Sequence, residues 1–318
     1  MVIPVERIGG DAERAIESVL NQQAPFPFEL IVISAEPLGP ASDNRLRNVV
    51  EKNRNPATRR NRAVFASTGE ILAFIDDDAR AAPGWLATAV EYFDRHPDVL
   101  ALGGPDPAPD DSSRAELISD ALLATPLIGS GVAAHENRRG VFDLPRASDI
   151  ALVNLFVRRS AFSGFDESIG YIGEDTALIE KLMREGRVVY HDRVRVFHRR
   201  RAFPFAYLRQ RWRYRVKTGE MFIRGRSANR STIVAFLFAG TIAIFAAPLA
   251  VIPYAVVTLL LGSRATRLPK SDWWMIPIAF AAHHLTYYFG IVWGMVRGCL
   301  YAKQKQNGAA DSATAKGP

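Results

Sequence analysis

The stretch GEILAFIDDDARAAPGWL, residues 69–86, sets an apolar run against three consecutive aspartates. Ile71, Leu72, Ala73, Phe74 and Ile75 are too few for a helix and read as a strand buried on both faces, as strands of parallel sheets are. Ligands of open parallel sheets bind beyond the carboxyl ends of such strands. Asp76, Asp77 and Asp78 repel one another unless a cation, a helix N-terminus or solvent offsets their charge. Two readings stay open on these residues alone. One is a divalent metal held by the triplet. The other is an acidic turn capping the next helix, which Pro83, Gly84 and the helical spacing of Trp85, Leu86, Val90 and Phe93 announce.

Outward from this strand, residues before Arg193 alternate strand and helix signals, the pattern of a doubly wound α/β domain. Strands are expected at Val2–Val5, Phe28–Ser34, Gly69–Ile75, Val99–Gly103 and Ile150–Arg158. Helices are expected at Asp11–Asn21, Pro56–Ser67, Pro83–Asp94 and Glu174–Glu185. The stretch Pro105–Ala147, rich in Pro, Asp, Ser and Gly, breaks the alternation and is expected to cover or flank a site.

The 318 residues, 48% hydrophobic, suffice for one sizeable domain and something more. Cys299 is the single cysteine, which excludes an internal disulfide framework and a thiolate metal cluster and fits a reducing, cytosol-facing setting. The net charge of +7 is concentrated. Residues 193–230 carry thirteen Lys or Arg against one acid, Glu220, a block suited to anionic lipid or phosphate. No nucleic-acid motif accompanies it, so no nucleic-acid partner is expected.

From Ser231 to Leu261 the chain has no charged residue, long enough to cross a hydrocarbon core of about 30 Å. A second apolar run, Trp273–Val296, carries tryptophans near both ends, as at membrane interfaces. The two read as a transmembrane hairpin over residues 231–300. The arginine-rich block before it and Arg297, Lys303 and Lys305 after it put both flanks in the cytoplasm, although Arg264, Arg267 and Lys270 in the loop oppose this. Residues 201–230 read as a basic amphipathic helix at the membrane surface, with Leu208, Trp212 and Val216 on one stripe and Arg209, Arg213 and Lys217 on the next. Residues 301–318 end in a small, polar tail expected to be disordered. The opening MVIPV shows no cleavable signal.

Four segments in order carry a resemblance: VIPV (2–5) with AIESVLNQQAPFPFELIVIS (15–34), RRNRAVFASTGEILAFIDDDARAAPGWL (59–86), GFDESIGYIGEDTALIEKLMREG (164–186) and VRVFH (194–198). Together they resemble the inverting family 2 glycosyltransferases of the GT-A fold, over nearly all of residues 1–200, and the following apolar segments resemble bacterial polysaccharide-assembly members. The resemblance implies a Rossmann-like nucleotide-sugar-binding domain followed by a membrane-embedded helical hairpin. It implies transfer of one sugar from a nucleotide-sugar to an acceptor hydroxyl, lipid-linked or saccharide, at the cytoplasmic membrane. An Asp-X-Asp pair maps onto Asp76 and Asp78, with Mg2+ or Mn2+ against the donor diphosphate. Asp78 is then the direct ligand, Asp76 a contact to ribose or metal, and His198 a further metal ligand. Donor contacts fall on Pro4, Glu6, Glu36, Arg60, Asp76 and Asp77. Asp175 is implied as the base that takes the acceptor proton, and Glu174 as the group that orients the acceptor. On the residues alone, Glu174 and Asp175 equally suit an acidic first helical turn, and His198 a solvated or phosphate-binding role.

The chain departs from the family pattern at the base pocket. Ser34, Ala35 and Glu36 stand where relatives carry a uracil-reading aspartate, and Glu6 and Arg7 replace a Tyr-Asn pair. Processive relatives carry Gln-X-X-Arg-Trp near the membrane. Here Arg211 and Trp212 are preceded by Leu208 at the glutamine position, which favours single-sugar transfer over polymerisation. Arg209, Arg211 and Trp212 are expected at the membrane, with arginines available to acceptor phosphates. The competing readings are a catalytically altered membrane scaffold, a processive synthase and a metal-dependent phosphohydrolase.

Overall fold

The structure, a computed structural model, describes the chain except residues 7–8, 40–42, 126–138, 170–172, 226–229, 246 and 315–318. Arg7, part of the Pro105–Ala147 stretch and the turn at 170–172 therefore lie outside the described residues. The chain divides into two compact units. One comprises residues 1–112 and 123–200, the other residues 113–122 and 201–318.

The first unit follows the alternation read from the sequence: β1 (Val2–Val5), α1 (Gly10–Leu20), β2 (Leu30–Ser34), β3 (Leu46–Val50), α2 (Pro56–Phe65), β4 (Ile71–Phe74), β5 (Ala79–Ala81), α3 (Trp85–Arg95) and β6 (Val99–Gly103). After α4 (Arg114–Leu123), which lies mostly in the other unit, come β7 (Val141–Asp143), β8 (Leu155–Arg158), α5 (Glu174–Glu185), β9 (Arg187–His191) and β10 (Val196–His198). Eight strands form one mixed sheet in the order β3-β2-β1-β4-β8-β6-β9-β7, and β10 pairs antiparallel with β5. Strands β1 to β4 are parallel, whereas β8 runs against both β4 and β6. One sheet face packs Ile3, Val32 and Phe156 with Trp85 and Phe93 of α3. The other packs Ile31, Ile33 and Phe74 with Leu178 and Leu182 of α5. Burial on both faces explains the continuous apolar runs of β2 and β4.

The helix-cap reading of the aspartates does not hold. Strand β5 intervenes, and the N-cap of α3 is Gly84, in the left-handed region at φ 77°, with no side-chain cap.

The second unit is helical: α4, α6 (Phe205–Ile223), α7 (Arg230–Phe245), α8 (Ala247–Ala265) and α9 (Met275–Thr314), the last described beyond residue 300 by its backbone. Over the span expected at Ser231–Leu261 the described residues are helical on both sides of residue 246, which lies outside them. Among the described residues one helix, Met275–Leu300, is long and apolar enough to cross a membrane; Ser231–Ile242 and Leu249–Arg264 are shorter. At 26 residues that segment is about 39 Å long. The helix at 275–314 also continues through residues read as a polar tail.

The stripe that reads as a membrane-surface face on α6 packs in large part against α9. Gly290, Gly294 and Gly298 recur every fourth residue on α9 and meet α6 at close range, with Gly219 of α6 meeting α9 in return. A Cβ at Gly294 would strike the Val216 carbonyl oxygen, and one at Gly219 the Ile291 carbonyl oxygen. Small residues at this spacing let helix backbones approach without intervening side chains. Gly294→Ala should therefore cost about 1–3 kcal/mol of overpacking. The thermal midpoint of the detergent-solubilised chain should fall by several degrees, and an unchanged midpoint would contradict the close approach.

Candidate active site

The site lies at the carboxyl ends of β1, β2 and β4, where backbone carbonyls and loop side chains converge. Arg59, buried on α2, donates through one terminal nitrogen to the carbonyls of Val5 (2.6 Å) and Ile33 (2.9 Å), fastening the ends of β1 and β2 together. Pro4 lies in β1 opposite Ile33. Glu6 is exposed, and its amide donates to Asp77 Oδ2 at 3.0 Å, which ties the end of β1 to the acidic turn. Glu36 is exposed beyond β2, its carbonyl accepting from the Ser34 hydroxyl at 2.6 Å.

Arg60, the next residue of α2, is buried and bridges two acidic segments. Its guanidinium donates to Asp76 Oδ1 and to Glu174 Oε1, each at 3.1 Å. This brings the start of α5 to the end of β4. Burial raises the pKa of Glu174, and the adjacent Asp175 adds to the rise, while Arg60 opposes it. Asp175 itself is half-buried, its Oδ1 accepting from the amide (2.7 Å) and hydroxyl of Thr176. The carboxylate is therefore oriented by its own helix turn, while its neighbour takes the arginine.

The third aspartate belongs to a different group. Asp78 Oδ1 lies 3.2 Å from His198 Nε2, and His198 Nδ1 lies 3.1 Å from Asp106 Oδ2. Arg200 reaches the same Asp106 oxygen at 3.2 Å and donates to the Asp106 carbonyl at 2.8 Å. Pairing of β10 with β5 sets this contact, since His198 stands opposite Ala79 and the Arg199 amide donates to the Asp78 carbonyl at 2.9 Å. Burial presses His198 toward neutrality. The Asp78 charge and the bonds to Asp106 and Asp78 outweigh it, raising its pKa to about 9.

Of the three residues expected at a metal, Asp78 and His198 come together, while Asp76 is engaged by Arg60. Among the described residues no three His, Cys, Asp or Glu side chains form a metal cage. The donor set nevertheless fits Mg2+ or Mn2+, which are commonly held by few protein groups together with substrate phosphates. An Asp106–His198–Asp78 line also matches the carboxylate-backed imidazole of many metal sites.

Sequence reading missed Asp106, Arg200 and Asn154. Asn154 is fully buried. It accepts from the Trp85 indole at 2.8 Å and donates to the carbonyls of Pro105 (3.1 Å) and Val194 (2.7 Å). It thus fixes the segments that lead into Asp106 and His198. Asp106 lies in a run of acids and prolines, and Arg200 in a triple arginine, so neither carries a local signal. Arg209, Arg211 and Trp212 lie on α6 of the helical unit.

Residues 2–162 match the family model described as glycosyl transferase family 2. The chain belongs to that family. Within the family's matched range fall the aspartate triplet, Arg59, Arg60, Asp106 and Asn154; Glu174, Asp175, His198 and Arg200 lie beyond it. A glucosyl-dolichyl phosphate glucuronosyltransferase of Haloferax volcanii is 34% identical over 98 residues, which cover 28% of this chain and 31% of that protein. The match thus spans under a third of that relative's length. Among solved structures, the mannosyltransferase PcManGT from Pyrobaculum calidifontis in complex with GDP-Man and Mn2+ is 18% identical, with a TM-score of 0.49 over 94% of this chain and 86% of that one. S. aureus TarS 1-349 is 13% identical, with a TM-score of 0.45 over 91% of this chain and 89% of that one.

The raised pKa of His198 carries a stability consequence with a definite sign. Its contribution is present in full below the ordinary histidine value of 6.5 and is lost as pH rises toward about 9. In divalent-free buffer the difference in thermal midpoint between the wild type and His198→Gln should narrow over that window. A difference that widened with pH would contradict the Asp78–His198–Asp106 arrangement.

Proposed function

We propose that this family 2 member transfers one sugar from a nucleotide diphosphate-sugar to an acceptor hydroxyl, with inversion at the anomeric carbon. The observation that carries the reading is the Asp76–Arg60–Glu174 bridge, which joins the acidic turn of β4 to the helix start bearing Asp175. A donor diphosphate at the strand ends and a base beside it are what inverting transfer requires. In the step, the acceptor oxygen bonds to the anomeric carbon as the nucleotide diphosphate oxygen leaves. Asp175 takes the hydroxyl proton. Glu174, held by Arg60, orients the acceptor or its neighbours.

Asp78 and His198 would hold Mg2+ or Mn2+, with Asp106 fixing the imidazole. The ion supplies charge neutralisation for the departing diphosphate. Asp76 and Arg60 then serve the donor, together with the turn made by Glu6 and Asp77, with Pro4 and Glu36 lining the nucleotide side. Leu208 in place of glutamine before Arg211 and Trp212 supports single-sugar transfer. A lipid-linked acceptor is supported by the apolar helix Met275–Leu300, the arginine-rich residues before it and the dolichyl phosphate in the name of the curated relative. The same charge placement supports attachment to the cytoplasmic membrane with the catalytic unit on the cytoplasmic side.

Two substitutions separate chemistry from binding. Asp175→Asn should keep donor affinity within a few-fold while lowering kcat by about 10²–10⁴, the usual worth of a positioned base. Steady-state kinetics with equilibrium donor binding and the anomeric configuration by NMR check this. Near wild-type turnover would exclude Asp175 as the base, and a retained configuration would exclude inversion. Asp78→Asn should abolish the Mn2+-dependent part of UDP or GDP affinity in calorimetry, because it removes ligand charge without changing shape. Unchanged Mn2+ dependence with the nucleotide that the wild type binds would remove Asp78 from the metal.

A further inference from the structure

The helical unit contains a cationic cluster that none of its own acids neutralises. Arg211 and Arg215 stand one turn apart on α6. The Arg211 guanidinium lies 5.2 Å from the Tyr207 ring centre and 5.4 Å from that of Tyr214, and it donates to the Gln210 side-chain oxygen at 3.0 Å. The Arg215 guanidinium lies 3.9 Å over the Tyr287 ring of α9. The Tyr287 ring centre lies 4.2 Å from that of His283, the rings tilted by 34°, and His283 is fully buried and bonded through Nδ1 to the Tyr207 hydroxyl at 2.7 Å. The other imidazole nitrogen, Nε2, is buried without a hydrogen-bond partner, as are Nε of Arg211 and of Arg215.

The four acids of this unit with described side chains are occupied elsewhere. Asp120 faces Arg267, Asp272 faces Arg114 and Glu220 faces Arg297. Glu116 accepts from the Ser113 amide. Half-buried guanidinium charges without a carboxylate are costly to hold, and three unmet nitrogens on neighbouring side chains suit an acceptor-rich anion. The apolar face of α9 beside the cluster, with Ile278, Leu285, Phe289 and Trp293 exposed, suits acyl chains.

We propose that Arg211, Arg215 and His283 form a recognition site for the phosphate monoester or diphosphate headgroup of an anionic lipid. The site deepens the reading of a lipid-linked acceptor and rests on it for the lipid, whereas its test measures binding without sugar transfer. Failure of one therefore leaves the other distinguishable. Tyr207 and Tyr287 hold the two guanidinium planes, Arg211 and Arg215 meet the phosphate oxygens, and His283 closes the buried side.

The test uses the full chain in dodecyl maltoside, with native mass spectrometry and thermal shift. The probes are dioctanoyl phosphatidic acid, dioctanoyl phosphatidylcholine and inorganic phosphate. Wild-type protein should bind phosphatidic acid at least tenfold more tightly than either other probe. Arg215→Gln should lose at least tenfold of that affinity, whereas Arg215→Lys keeps most of it and reports on folding through its own melting curve. Arg224→Gln, which removes an exposed charge from the end of the same helix, should bind as the wild type does. Equal affinity for inorganic phosphate would overturn the lipid. Wild-type binding by Arg215→Gln would overturn the site, and equal losses in Arg215→Gln and Arg224→Gln would reduce it to diffuse charge attraction.

Discussion

One buried guanidinium governs the catalytic unit. Arg60 is nine-tenths buried yet carries a full charge, a placement that is tolerable because two carboxylates, Asp76 and Glu174, share it. The bridge joins groups nearly a hundred residues apart in sequence and does so at the carboxyl edge of the sheet. It also divides labour among like charges. Glu174 takes the arginine, its pKa raised by burial against the opposing pull of Arg60, which leaves Asp175 held by Thr176 alone among the described contacts. On the other side, removal of Asp76 to Arg60 leaves Asp78 facing His198. Three adjacent aspartates thereby reach three destinations: an arginine, the Glu6 amide and an imidazole.

Much of this was legible in the sequence, and the remainder was hidden for physical reasons. β1, β2, β4 and β6 announce themselves as short apolar runs because both sheet faces are covered. α5 matches its expected bounds because an acidic first turn and a glycine after Glu185 mark its ends. β3, LRNVV, lies at the sheet edge and is largely exposed, so its pattern is weak. β5 and β7 have three residues each, too few for periodicity to register. The acidic positions of the site were found through their neighbours in sequence. Asp106 and Asn154 were not, because their partners are carbonyls and side chains brought near by β-strand pairing.

The helical unit shows how one pattern admits two packings. Leu208, Trp212 and Val216 make an apolar stripe that suits a membrane surface, but Val216 is buried against Gly294 of α9. Composition alone does not separate these outcomes, since lipid and a glycine-lined helix both accept apolar side chains. The spacing of Gly290, Gly294 and Gly298 does separate them.

The antiparallel course of β8 has an evolutionary consequence. Because β8 runs against β6, the chain leaves one strand and enters the other at the same edge, with Gly103 opposite Leu155 in register. Asn154, just before β8, clasps the Pro105 carbonyl just after β6 and also holds the Val194 carbonyl before β10. Between Pro105 and β7 the described residues contribute no strand to this sheet. The length of chain after Asp106 and before β7 can change without shifting any pair in the sheet, at a chain-closure cost of only about 0.6 kcal/mol per doubling for flexible chain. An architecture of this kind lets a lineage rewrite that segment while Asp78, Arg60, Asp106 and their partners stay in place.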